Sequence, residues 1–234
     1  MQTANPALRS SAFTIRTQST DAMTIGGAVN KTLICALILI AAAGFVWFIT
    51  FNNPGRSTTF MIGGALGGLA LAITTIVKPS WSPITTPIYC ILEGLLIGGI
   101  TSMMEFQFPG IAFQAALLTI GALLTMLFAY KAGWIKVTEK FKSGLLIAIG
   151  GIALVYLTTI GLGFFGIKVP YIHEGGMIGI GFSIAVIIIA SLSLVLDFDF
   201  IKEGSRNNIP KYMEWYAAFS LMVTLIWLYR GFQL

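Results

Sequence analysis

The stretch LVLDFDFIKEGSRNNIPKYMEWYAA, residues 194–218, sets three carboxylates, Asp197, Asp199 and Glu214, at the ends of two otherwise apolar segments. A short basic loop with Lys202, Arg206 and Lys211 lies between them. The pattern is that of one helix leaving a bilayer and the next entering it, with the acids where lipid meets water.

Outward from this stretch the chain stays apolar. Of its 234 residues 56% are hydrophobic and only 10% are charged, too few charges to solvate the surface of a water-soluble domain. Crossing a hydrocarbon core about 30 Å thick takes roughly 20 residues at about 1.5 Å each. Seven runs are long enough: 32–51, 59–77, 84–104, 111–130, 143–166, 176–196 and 212–230. Short connectors with turn residues join them, such as Asn52-Asn53-Pro54-Gly55 and Pro109-Gly110. The expected fold is therefore all-α: a polar N-terminal cytoplasmic segment, 1–31, followed by one transmembrane domain of seven helices, 32–234.

The formal charge of +5 would suggest nucleic acid for a soluble protein, but here the basic residues sit in a few short loops. The expected partner is the lipid bilayer, and no nucleic acid. Arg9, Arg16, Lys31, Lys78, Lys131, Lys136, Lys140, Lys142, Lys202, Arg206 and Lys211 fall on one side of the predicted topology, and Arg56, Lys168 and Arg230 on the other. Positive residues are retained on the cytoplasmic face, so the N-terminus is expected inside, the C-terminus outside and the three acids cytoplasmic. No apolar core of signal-peptide type begins before residue 32; the Arg- and Ser-rich, acid-poor start also fits an organellar transit peptide.

Several motifs carry no chemistry in this setting. Gly161-Leu162-Gly163-Phe164-Phe165-Gly166 spells a dinucleotide fingerprint but ends a membrane span instead of joining a strand to a helix. His173-Glu174 opens like a zinc-protease motif without the second His. His173 is the chain's single histidine, which argues against a Ser–His dyad. No lysine lies in the body of the seventh span, so a retinal Schiff base has no anchor. The chain is expected to be no enzyme and to hold no cofactor. Cys35 and Cys90 fall inside apolar runs and read as small packing residues. Gly63, Gly64, Gly67 and Gly68 in the second span, and Gly94 and Gly98 in the third, have the spacing of close helix contacts.

The acids remain. Glu93 stands near the middle of the third span, where an ionised carboxylate costs several kcal/mol unless water or a partner meets it. It is either part of an intramembrane ion pathway or a neutral acid in one interhelical hydrogen bond. Glu105, at the outer end of that span, reads as solvated. Asp197 and Asp199 point about 200° apart on a helix, so only one faces the bundle. Asp199 has Lys202 at i+3 as a surface partner, which leaves Asp197 inward. Glu214 either pairs with Asp197 across two helices or forms an interfacial ion pair with Lys211.

LDFDFI at 196–201 and PKYMEWYAAF at 210–219 are similar to the Bax inhibitor-1 family of seven-helix membrane proteins, in particular a bacterial branch of it. Asn5-Pro6-Ala7-Leu8, MTIGGAVNKT at 23–32 and VTEKFKSG at 137–144 resemble that branch too, so the likeness covers nearly the whole chain. The resemblance implies a bundle whose last helix is enclosed by the other six, in a bacterial inner membrane. It implies a pH-sensitive calcium leak with a pair of acids near the cytoplasmic side as the proton-sensitive latch. Asp197 matches the sixth-helix acid of that latch. The family's partner is the second of two acids four residues apart on the last helix; here Glu214 stands at the first place and Ala218 at the second. Glu214, Asp199 or Glu93 then supplies the second acid.

Two buried carboxyls that share a proton titrate as a unit, and on losing it they repel and offer hard oxygens suited to calcium. Asp197 and Glu214 are thus the candidate calcium ligands, and calcium the expected permeant ion. The alternatives are a non-conducting regulator of membrane proteases or other membrane proteins, and a secondary transporter, for which no broken-helix pair or inverted repeat speaks.

Overall fold

The computed structural model describes residues 22–51, 54–164 and 177–233 and folds them into seven helices. They are α1 (Ile25–Phe51), α2 (Ser57–Val77), α3 (Ser82–Gln107), α4 (Ile111–Lys131), α5 (Glu139–Phe164), α6 (Met177–Arg206) and α7 (Met213–Gly231). Each coincides with one predicted run, and the described residues contain no strand, only an isolated bridge between Ala22 and Pro210. Among the described residues five helices are long and apolar enough by themselves to cross a membrane: α1 to α4 and α6. Leu37, Phe48, Leu66, Phe113 and Ile147 stand out from the bundle, as side chains facing lipid do. His173-Glu174, Lys168, Arg9, Arg16 and the Phe165-Gly166 end of the glycine fingerprint lie outside the described residues.

Two helix ends differ from expectation, each for a local reason. α1 starts at Ile25, seven residues before the predicted span, because Thr24 caps it: its Oγ1 accepts the Gly27 N–H at 2.9 Å. α6 runs ten residues past the predicted exit, so Lys202 and Arg206 belong to its last turns and not to a loop. It closes over Asn208, whose φ of 50° lies in the left-handed region, with the Ile209 N–H donating back to the Gly204 carbonyl at 3.3 Å. Lipid-to-water transition ends a span but does not end a helix.

Small residues set the tightest seams. A Cβ on Gly64 would lie 2.5 Å from the Leu92 carbonyl oxygen, so α2 rides directly on α3. On the other face of α3, a Cβ on Gly94 would lie 2.6 Å from the Leu39 carbonyl and one on Gly98 2.5 Å from that of Ala43, so α1 does the same. Gly63, by contrast, faces open space. α7 packs mainly against α1, α3, α4 and α6, while α5 leans on α6. Ser82 Oγ donates to the Tyr212 carbonyl at 2.9 Å and Thr86 Oγ1 to that of Trp215 at 3.3 Å, fixing the start of α7 beside the start of α3.

Candidate functional site

The helix ends that carry Asp197, Asp199 and Glu214 converge on one end of the bundle, and three separate sites form there. Asp197 is turned inward from α6 and is 7% exposed. Its Oδ1 accepts a hydrogen bond from Ser220 of α7, and Thr224, one turn further along α7, faces the same carboxyl. Its Oδ2 is buried with no hydrogen-bond partner. Among the described residues no basic side chain forms an ion pair with it. A buried carboxyl in that state is an incomplete site: a proton, a water or a cation completes it.

Glu214 is more deeply buried still, at 1%, but it is complete. Its Oε1 accepts the Thr24 N–H and the Thr24 hydroxyl, each at 2.9 Å, and its Oε2 pairs with Lys31. The carboxylate sits over the first turn of α1, where the free N–H groups and the helix dipole favour negative charge. Gly27 is the residue that makes room, because a Cβ there would overlap the Glu214 carboxylate. Met23 locks the arrangement: its N–H donates to the Ile209 carbonyl at 2.8 Å, and its side chain is fully buried against Gly204 and Ile209.

The structure therefore does not bring Asp197 and Glu214 together. Asp197 meets Ser220, six residues beyond Glu214 and about 9 Å further along α7 at 1.5 Å per residue. Nor does Lys211 pair with Glu214; it is exposed, and Lys31 from a helix nearly the whole chain away takes its place. With Lys31 on one oxygen and Thr24 on the other, Glu214 is engaged at both oxygens and lies apart from Asp197. Ala218, where the family pattern has an acid, is fully buried in an apolar cluster with Cys35, Tyr89, Cys90, Phe219 and Met222. It lies two residues, about 200°, from Ser220, so that place on α7 faces away from Asp197.

Asp199 is half-buried and pairs across helices instead of along its own. It accepts from the Tyr130 hydroxyl of α4 at 3.0 Å and lies 3.3 Å from Lys142 at the start of α5, whose pKa that contact raises. Lys202, the expected partner, lies over the Tyr130 ring at 5.3 Å. Glu93 is half-buried on α3, bonded to Tyr89, facing Gly68 of α2 and within the field of Arg230. Glu105 is not merely solvated: it accepts the N–H groups of Gly110 at 2.6 Å and Ala112 at 3.0 Å and so caps α4.

Sequence reasoning missed Thr24, Lys31, Ser220 and Tyr130. Thr24 had a readable signal, a threonine just ahead of an apolar run; the others are long-range contacts without a local mark. No group of three or more His, Cys, Asp or Glu able to hold a metal occurs among the described residues. Residues 5–232 match the family model described as Bax inhibitor 1 like. No curated protein and no solved structure matches the chain.

Proposed function

The chain belongs to the Bax inhibitor 1 like family, and from that premise we propose that this integral membrane protein is a passive cation pathway, with calcium as its cargo, opened and closed by the protonation of Asp197. The observation that carries the proposal is the Asp197 carboxyl: buried between α6 and α7, bonded through one oxygen and unpartnered at the other. With a proton on it, the group is neutral and α6 rests against α7. Without the proton, a whole negative charge faces an apolar seam, which favours separation of the two helices and entry of a cation to a hard oxygen ligand. The latch in this reading is one acid held by two hydroxyl-bearing residues, Ser220 and Thr224. Glu214 stands outside it, as the counter-charge that fastens the start of α1. No bond is made or broken in such a role, so the protein is not an enzyme on this reading. The membrane is proposed to be a bacterial inner membrane, with the acid-bearing end inside because Lys78, Lys131, Lys136 and Lys140 share that end.

The test is calcium flux into liposomes loaded with a calcium dye. Flux through the wild type is expected to rise several-fold from about pH 6 to about pH 8, the range a buried acid can be tuned to. Asp197→Asn keeps the shape and removes the titration, so its flux should be flat with pH; a profile unchanged by that substitution rejects the latch. Flux no greater than that of empty liposomes at any pH rejects the pathway and turns the reading to a non-conducting regulator of membrane proteases. A membrane-impermeant thiol reagent checks the orientation on intact cells: it should reach a cysteine introduced by Gly55→Cys and not one introduced by Lys140→Cys.

A further inference from the structure

Two cavities stand end to end along α1, in the half of the bundle away from Glu214. The first, of 380 Å³, runs from Ala36 to Trp47 and is almost wholly apolar. Ile97 and Gly98 of α3 and Met222 and Leu225 of α7 floor it, and Ala112, Ala116 and Ile120 of α4 form the wall opposite α1. α1 and α4 each pack on α3 and α7 but not closely on one another, and the rim residues Ile40 and Ile120 are exposed, so the slot opens sideways to lipid. Small residues make the room: a Cβ on Gly44 would meet no atom within 4 Å. From residue 36 to 47 the slot is about 16 Å long at about 1.5 Å per residue, which is half of a hydrocarbon core about 30 Å thick.

The second cavity, of 430 Å³, continues the first: Trp47 is a wall of both, and Thr101 in one is followed along α3 by Ser102 in the other. Its lining is of acceptors. Thr50 and Ser102 have already donated their hydroxyl protons, to the Val46 carbonyl at 2.8 Å and the Gly99 carbonyl at 2.9 Å. Glu105 adds a carboxylate that forms no ion pair among the described residues. Each of its oxygens accepts one N–H from the start of α4 and keeps a further lone pair. An apolar slot one leaflet deep thus ends in a pocket that offers oxygen acceptors and one negative charge.

We propose that the two cavities together bind one phospholipid whose head group ends in a primary ammonium. One acyl chain fills the slot through its lateral opening, the other stays in the bilayer, and the ammonium donates to the oxygens of Glu105, Thr50 and Ser102. A slot left empty would forfeit the packing contacts of its walls, and acyl chains are what the bilayer presents at its mouth. The acceptor pocket selects among lipids. A quaternary ammonium carries the charge but has no N–H to donate, and a head group of net negative charge is repelled by Glu105. This site is independent of the Asp197 reading.

The experiment uses the full chain in lipid nanodiscs doped, at equal content, with phosphatidylethanolamine or phosphatidylcholine carrying a photoreactive diazirine on one acyl chain. On illumination the ethanolamine lipid should label residues 36–47 of α1 and 112–120 of α4 several-fold more than the choline lipid does. Gly44→Leu and Ala116→Phe fill the slot from opposite walls, and each should lower that labelling several-fold. Gly121→Leu, on α4 but outside the slot and also facing open space, should leave it unchanged. Glu105→Gln keeps an acceptor for the start of α4 and removes the charge; it should retain labelling in the slot and make the two lipids equal. Equal labelling by both lipids in the wild type overturns the head-group recognition. Label spread evenly over the lipid-facing helices, α2 included, or unchanged by both filling variants, shows annular lipid only and overturns the site. A preference that survives Glu105→Gln overturns the placing of the ammonium.

Discussion

Asp197 and Glu214 are both buried carboxylates at one end of the same bundle, and their surroundings are opposites. Glu214 has a cation on one oxygen, two donors on the other and a helix start beneath it. Asp197 accepts from the Ser220 hydroxyl through one oxygen, with Thr224 facing the same carboxyl, and its other oxygen has neither a hydrogen-bond partner nor a cation. Burial alone thus says little about what an acid does; the completeness of its partners separates a structural charge from a group free to change state.

The contrast is broken most severely by removing the cation. Lys31→Met leaves Glu214 buried and uncompensated, and should destabilise the protein by about 3–5 kcal/mol in an unfolding titration. Asp197→Asn removes a charge that had no counter-charge, so it should leave stability unchanged or raise it by about 1 kcal/mol. A larger loss from Asp197→Asn than from Lys31→Met reverses the assignment of the two acids. Ser220→Ala takes away the hydrogen bond that Ser220 donates to Asp197 and should cost about 1 kcal/mol, while moving the pH at which flux changes.

The smallest effect is expected at Asp199. Lys142→Met should lower stability slightly at neutral pH, and Lys202→Met should not. The Lys142 pKa is raised in the folded protein, so its contribution is complete below the ~10.4 of an unfolded lysine and is lost as pH rises through the folded value. The gap between wild type and Lys142→Met should therefore close in strongly alkaline solution. A gap that persists there assigns the loss to packing of the lysine stem.

All seven helices were legible in the sequence, because runs of about 20 apolar residues have few other uses. The inward turn of Asp197 was legible too, from the helical angle between residues 197 and 199. What escaped were the partners. Sequence proximity proposed Lys202 for Asp199 and Lys211 for Glu214, while the fold supplied Lys142 and Lys31 from other helices. Neighbours in sequence on a helix share a face, but an acid that points into a bundle is met by whatever crosses there. Glu105 was misjudged for a related reason: its role depends on the left-handed Gly110, φ 91°, which turns two N–H groups back toward it.

The clasp of Thr24 on Glu214 joins residues 190 positions apart. A membrane protein enters the bilayer in the order in which it is synthesised, so α1 is in place long before its capping acid exists. During that interval Thr24 still caps the first turn of α1, but Lys31 lacks the carboxylate it meets in the folded chain. α7 carries Glu214, Ser220, Thr224 and Arg230 and is not among the helices apolar enough to span on their own; it finds its place against helices already inserted. The closing of the clasp is thus a late event in biogenesis. A chain truncated before residue 214 has no means of completing it, so the start of α1 registers whether α7 has arrived.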